Sequence, residues 1–248
     1  MNNQYDYESR LDELTKGIDA TFKDVLEPFI YGNISDYLKK SGTNIDILDV
    51  GCGCGYLTAS IAKKFAETKV EGIDISESAI VCAKSHFNLK FTQQNVVDFD
   101  ESKKFDVVVY NMVLHNLQEL EQTIRKTSII LKHKGIVLIT IPHPAFWLPD
   151  KVARGKITLA EPFNYNYERF YQIPFQIKNG LQHQTKLTYY HRRLTTYINT
   201  FSKHLELVRF EEVDFKNGYP TMLRIVLEKC KIWIETTDDR MIYAVQGE

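Results

Sequence analysis

Four polar side chains sit where apolar runs end in the first half of this chain. Asp49 lies in Ile47-Leu48-Asp49-Val50-Gly51-Cys52-Gly53-Cys54-Gly55, and Asp74 closes Val70-Glu71-Gly72-Ile73-Asp74. Asn95 and Asn111 follow two further apolar runs. The alternating glycines let the backbone bend sharply and let a ligand approach the main chain. An amphipathic stretch follows Gly55, and a helix starting there would direct free N–H groups and a partial positive charge at the turn. The chemistry this offers is ligand binding at a strand-to-helix turn. A second group of reactive side chains comes later: His143, His183 and His191 lie among clustered aromatics.

The spacing of the glycines separates the candidate ligands. A dinucleotide fingerprint needs G-x-G-x-x-G, but Tyr56 stands three residues after Gly53. A P-loop needs G-K-[ST] at its end, and Tyr56-Leu57 stands there instead. The D-x-G-x-G-x-G pattern of Asp49 to Gly55 resembles motif I of the class I S-adenosylmethionine-dependent methyltransferases. The resemblance is close over about residues 45–142 and rests on pattern alone for the last helix and two strands.

The resemblance implies a cofactor site. Asp49, Gly51, Cys52, Gly53 and Gly55 would lie under the methionine end of S-adenosylmethionine, and Asp74 would accept from the ribose hydroxyls, as acids do in dinucleotide folds. Ile75 would pack on the adenine. Asn95 and Val96 stand where the family has Gly-Asp-Ala, a departure; Asn95 can still accept from the adenine amino group, with Asp98 as the alternative reader. Asn111 would face the methionine moiety. His115 reads either as a capping residue or as a wall of the catalytic pocket. No metal is implied.

The elements that must position these residues follow from periodicity. Residues 8–40 are helical in pattern, divided at Pro28. Strands are expected at Ile45–Val50, Lys69–Asp74, Leu89–Gln93, Phe105–Tyr110 and Gly135–Ile141, with helices after Gly55, after Ser76 and over Gln118–Leu131. Such alternation predicts a parallel, doubly wound sheet. From Pro142 to about His191 it stops. It resumes with helix Leu194–His204 and strands Leu205–Asp214 and Met222–Cys230 around Asn217-Gly218, an antiparallel pair. The expected fold is α/β, a mostly parallel seven-stranded sheet with an antiparallel last strand and an inserted aromatic-rich cap. The layout reads as N-terminal helices or lid over 1–44, cofactor core over 45–142, cap over 143–191, the rest of the core over 192–233 and a tail over 234–248.

The insertion is placed to cover the C-terminal ends of the strands, where α/β folds bind ligands. Trp147, Tyr165, Tyr171 and Tyr189 are its candidate acceptor-binding residues, joined by His115 and by Tyr7 of the N-terminal segment, which in relatives closes over the cofactor. Aromatic and histidine side chains in a dry cavity can hold a planar acceptor, though a small aromatic core is the plainer reading of most of them. Ile141-Pro142-His143-Pro144-Ala145-Phe146-Trp147 and Tyr189-Tyr190-His191-Arg192-Arg193 resemble segments of bacterial small-molecule methyltransferases. That resemblance makes His143 the leading base or acceptor-orienting residue, against a purely backbone role between two prolines. His191 is second, and Arg192 and Arg193 are surface or lid contacts.

A formal net charge of -1 over 248 residues offers no field for a polyanion, which argues against nucleic acid as a partner. No apolar run is long enough to span a membrane, and no signal segment is visible, so a cytoplasmic location is expected. Cys52-x-Cys54 lacks a zinc-site partner pair, and all four cysteines are expected to be reduced and structural. The sequence sets no oligomeric state. The expected activity is methyl transfer to an O or N atom of a small, aromatic or heterocyclic metabolite. The alternatives are a tRNA or protein methyltransferase, or a non-catalytic cofactor-binding subunit.

Overall fold

The computed structural model describes residues 25–176, 182–214, 218–229, 232–235 and 241–244. Helix α1 (Glu27–Ser41) opens with Pro28 in its first turn, where a missing N–H costs nothing, and ends at Gly42 with φ +89°. The helix expected upstream of Pro28 falls mostly outside the described residues. Strand β1 (Asp46–Val50) pairs in parallel with β2 (Lys69–Asp74) and β4 (Phe105–Asn111). It is buried from Ile47 to Val50, so its apolar residues do not alternate with exposed ones, and Asp49 is the polar residue among its buried positions.

Helix α2 (Tyr56–Lys64) joins β1 to β2, and α3 (Glu77–His86) joins β2 to β3 (Lys90–Gln93). Ser76 caps α3 by accepting from the Ala79 N–H. Helix α4 (Leu120–Ile130) precedes β5 (Leu131–Pro142), and α6 (Leu194–His204) precedes β8 (Glu206–Asp214) and β9 (Pro220–Glu228). The seven-stranded sheet runs β3-β2-β1-β4-β5-β9-β8. β9 is antiparallel to both of its neighbours, as expected. Ile30, Ile34, Leu57 and Ile61 of α1 and α2 cover one face, and Ile124, Tyr197 and Phe201 of α4 and α6 cover the other.

Strand β5 begins earlier than the expected Gly135. Its pairing with β4 jumps from Phe105–Leu131 to Val107–Ile136, and Lys134 takes φ +59°. The extra residues bulge out, which shortens the helix before them to Ile130.

Between β5 and α6, where the sequence reads as an interruption, the chain forms α5 (Trp147–Ala153) and a hairpin of β6 (Arg169–Gln176) and β7 (Gln182–His191). The hairpin is a separate two-stranded sheet with a small core of Leu148, Ile157, Tyr171, Ile173 and Tyr189. A second short hairpin pairs β10 (Ile232–Glu235) with β11 (Met241–Ala244), in the region expected to be mostly tail.

The cysteines depart from expectation. Cys54 and Cys82 form a disulfide, their Cα atoms 5.2 Å apart. The turn after β1 packs on α3, so these two residues, expected to be reduced, face each other. Cys52 is free and buried, whereas Cys230 lies outside the described residues.

Candidate active site

The glycine turn is built against the end of β2. The N–H groups of Gly51 and Cys52 both donate to the Ile73 carbonyl, at 2.7 and 3.0 Å. Gly51 has φ +71°, and a Cβ there would stand 2.5 Å from Cγ2 of Val113, so this position needs glycine on two counts. Cys52 packs on Phe91 and Ile80, and burial pushes its thiol far above the usual range. Gly55, left-handed at φ +79°, is the N-cap of α2.

Asp49 stands next to the last residue of β1. It is buried, and its Oδ2 accepts from the Thr58 hydroxyl at 2.6 Å, tying β1 to the first turn of α2. Burial pushes its carboxyl up to about 7. Asp74 ends β2 and is buried beside the glycine turn. Its Oδ2 accepts from the Gly53 N–H and its Oδ1 from the Ser76 N–H, both at 2.9 Å. A carboxylate has about four acceptor positions, so capacity remains for a diol. The adjoining Ile75 is 56% exposed, an apolar surface beside that acid.

Asn95 is exposed and accepts from the Val97 N–H at 3.3 Å, capping the 3-10 turn Val96–Asp98, in which Val96 is buried. The Gln94 N–H donates to the Asp74 carbonyl, which holds that turn beside the acid. Asn111 ends β4, its Oδ1 accepting from the Thr140 hydroxyl at 2.7 Å. Next to it Met112 is held at φ +60°, a left-handed conformation that is costly for a side chain with a Cβ. Glycines, exposed Ile75, Asp74 and Asn95 thus line one edge of the sheet. An adenosine with a charged amino-acid tail fits that set: a ribose acceptor, an apolar plane and a helix N-terminus.

His115 sits on the 3-10 turn Leu114–Asn116 directly after β4 and is buried. Burial, with Arg192 nearby, pulls its imidazole down to about 3, so it is neutral at pH 7. Its ring meets Tyr189 at 5.7 Å, and Trp147 stacks on Tyr189 at 5.4 Å and 28°. Arg192, read as a surface contact, instead donates to the carbonyls of Leu114, Leu117 and Gln118 and so pins β7 to the turn carrying His115.

The two histidines expected at the acceptor differ in what they leave free. The Nδ1 of His143 accepts from the Ala145 N–H at 3.1 Å, so its Nε2 carries the proton and donates to Glu212 at 2.8 Å. Both nitrogens are committed to holding the turn before α5, and Glu212 is 69 residues from His143, a pairing that no local signal announces. The Nε2–H of His191 donates to the Tyr165 carbonyl at 2.9 Å, while its Nδ1 is buried without a partner among the described residues. Burial shifts this imidazole below its ordinary value, against the bond to Tyr165. The hydroxyl of Tyr165 accepts from the Leu194 N–H at 2.9 Å, and that of Tyr171 is buried and unpartnered. Tyr7 lies outside the described residues. Among the described residues no cluster suited to a metal occurs, and no helix is long and apolar enough to cross a membrane.

Comparison with known proteins agrees with this geometry. A family model for a methyltransferase domain matches residues 41–194. A malonyl-[acyl-carrier protein] O-methyltransferase of Acetivibrio thermocellus is 31% identical over 130 residues, covering 50% of this chain and 46% of the relative. A ribosomal protein L11 methyltransferase of Dictyoglomus turgidum is 33% identical over 112 residues, 43% of this chain and 35% of the relative. The chain thus spans half or less of the length of these curated relatives. An S-adenosylmethionine-dependent methyltransferase structure from Clostridium acetobutylicum superposes with a TM-score of 0.59 at 14% identity, covering 81% of this chain and 89% of that one, a likeness of fold. With motif I, the strand order and the family match in agreement, the chain belongs to the class I S-adenosylmethionine-dependent methyltransferases.

Proposed function

We propose that this enzyme transfers a methyl group to an O or N atom of a small, planar acceptor bound beneath the β6–β7 hairpin. The observation that carries the reading is the line of rings Trp147, Tyr189 and His115, which runs from α5 through the hairpin to the turn after β4. That turn adjoins Asn111 and the glycine turn, on the edge of the sheet where the cofactor residues stand. The curated relatives are named for different acceptors, a malonyl group on a carrier protein and a ribosomal protein, so the shared core does not choose the acceptor.

In this reading Asp74 accepts from the ribose hydroxyls, Ile75 lies on one face of the adenine, and Asn95 with Val96 borders its edge. Gly51 to Gly55 and the start of α2 receive the methionine end, while Asp49 acts through Thr58 by holding their shape. S-adenosylmethionine, when bound, supplies a methyl group on a sulfonium that leaves as a neutral thioether. The protein is left to align the acceptor, exclude water and take a proton where one must go. His143 positions α5, and His191 stands on the acceptor side with Tyr171.

The experiment is methyl transfer from methyl-labelled cofactor by the isolated chain, with parallel panels of aromatic hydroxy and N–H metabolites, bulk tRNA and ribosomal proteins. Label entering a small aromatic compound supports the reading. Label entering only tRNA or protein replaces the acceptor class. Cofactor binding without transfer to any panel would point to a subunit that acts through a partner.

A further inference from the structure

The β6–β7 hairpin has one wet face and one dry one. Phe170 is 60% exposed, whereas Tyr171, Tyr189 and His191 face inward. Tyr171 stands directly opposite Tyr189 in the ladder, and His191 follows Tyr189 by two residues, so the three share one face. Phe163 closes the group, edge-on to His191 at 4.9 Å and tilted to Tyr171 at 6.2 Å.

This dry face contains polar atoms that the protein does not satisfy. Among the described residues, the hydroxyl of Tyr171 and Nδ1 of His191, together with Nδ1 of His115 against Tyr189, are buried without hydrogen-bond partners. Each such atom costs about 1–3 kcal/mol, and phenylalanine would pack at any of the three positions without that cost. Native proteins leave few buried polar atoms unpaired, and three around one pair of rings need a reason. A ligand that bonds to them supplies one.

The chemistry of that ligand follows from His191. A carbonyl oxygen can only accept, so the bond to Tyr165 fixes the proton on Nε2 and leaves a lone pair on Nδ1. From this we infer that the dry face is an acceptor subsite selective for planar molecules bearing an O–H or N–H group, which donates to Nδ1 of His191. The inference rests on the function proposed above and adds a rule to it. A carboxylate offers only lone pairs and is opposed at Nδ1, so acids are rejected and phenols, enols or azole N–H groups are accepted. During transfer the acceptor's O–H or N–H bond breaks and its proton passes to Nδ1. Its electron pair forms the bond to the methyl carbon, whose former bonding pair returns to sulfur. The resulting imidazolium keeps its Nε2–H on Tyr165 and releases the proton to solvent.

The test needs no turnover. Protein loaded with S-adenosylhomocysteine is titrated by calorimetry with 2-naphthol, 2-methoxynaphthalene and 2-naphthoate, which share a ring system and differ at the donor. The expected result is 2-naphthol binding at least about tenfold tighter than the other two, the size of one hydrogen bond to a buried acceptor. His191→Phe should abolish that preference and leave the affinity for 2-methoxynaphthalene unchanged. Equal binding of all three compounds would overturn the donor rule while sparing the aromatic acceptor reading. Absence of binding by all three would overturn both. If the variant does not fold, long-range 15N NMR of the unmodified protein reports the tautomer directly: a protonated Nε2 on His191 supports the inference, and a protonated Nδ1 ends it.

Discussion

The Oδ2 atom of Asp74 accepts a hydrogen bond from the Gly53 N–H at 2.9 Å, joining the acid that ends β2 to the centre of the glycine turn. The acid proposed to bind the ribose thus also shapes the turn proposed to receive the other end of the cofactor. Asp74→Ala removes a charged acceptor from both places. S-adenosylhomocysteine affinity should fall by about 10- to 100-fold, as expected for one or two hydrogen bonds to a charged group. Calorimetry checks this, and unchanged affinity would remove the ribose assignment.

Two glycines with positive φ make a controlled pair. An alanine at Gly51 would clash with Val113 in addition to adopting a left-handed backbone, whereas at Gly155, φ +64°, nothing lies within 4 Å. Gly155→Ala should cost about 1 kcal/mol for backbone conformation alone. Gly51→Ala should cost more, by about 1–3 kcal/mol of overpacking, and should also weaken S-adenosylhomocysteine binding. Thermal unfolding of both variants, with and without that ligand, measures the difference; equal Tm losses would contradict it.

Burial works in opposite directions on Asp49 and His115 as pH changes. The imidazole of His115, pulled down to about 3, stays neutral in the folded chain while an unfolded histidine protonates near 6.5. Its contribution is therefore present above pH 6.5 and is lost as pH falls, by roughly 2 kcal/mol at pH 5. The carboxyl of Asp49, raised to about 7, binds its proton more tightly when folded. Its contribution is present below about pH 4 and is lost as pH rises through 7. Between pH 5 and 7.5 the Tm of Asp49→Asn should therefore rise more steeply than that of the parent, and that of His115→Phe less steeply. Parallel profiles would refute both assignments.

The Cys54–Cys82 disulfide closes a loop across a sequence separation of 28. Loop-closure entropy for that length corresponds to about 3–4 kcal/mol. Cys82→Ala should lower Tm markedly under oxidising conditions and should abolish the Tm difference between oxidised and reduced samples. An unreduced, denatured sample of the parent that titrates all four cysteines as thiols would contradict the bond.

Parts of this architecture are legible residue by residue. Lys69–Asp74 and Leu194–His204 form as the sequence pattern reads them, the first closed by its terminal acid and the second burying Tyr197, Thr200 and Phe201 on one face. The hairpin is not legible. Phe170 and Tyr171 are both aromatic though one is exposed and the other buried, so the period of two disappears. The fate of the histidines is equally hidden: Glu212 claims His143 from 69 residues away, and a main-chain carbonyl fixes the tautomer of His191. The disulfide depends on α3 packing against the glycine turn, which no spacing of cysteines announces.

The most direct test of the account is the product formed with methyl-labelled S-adenosylmethionine and a matched acceptor set of 2-naphthol, 2-naphthoate, bulk tRNA and ribosomal protein. The account predicts label in 2-methoxynaphthalene, with the yield falling sharply in His191→Phe while S-adenosylhomocysteine affinity stays constant. Label in the naphthoate ester, or only in the tRNA or protein fractions, would contradict it.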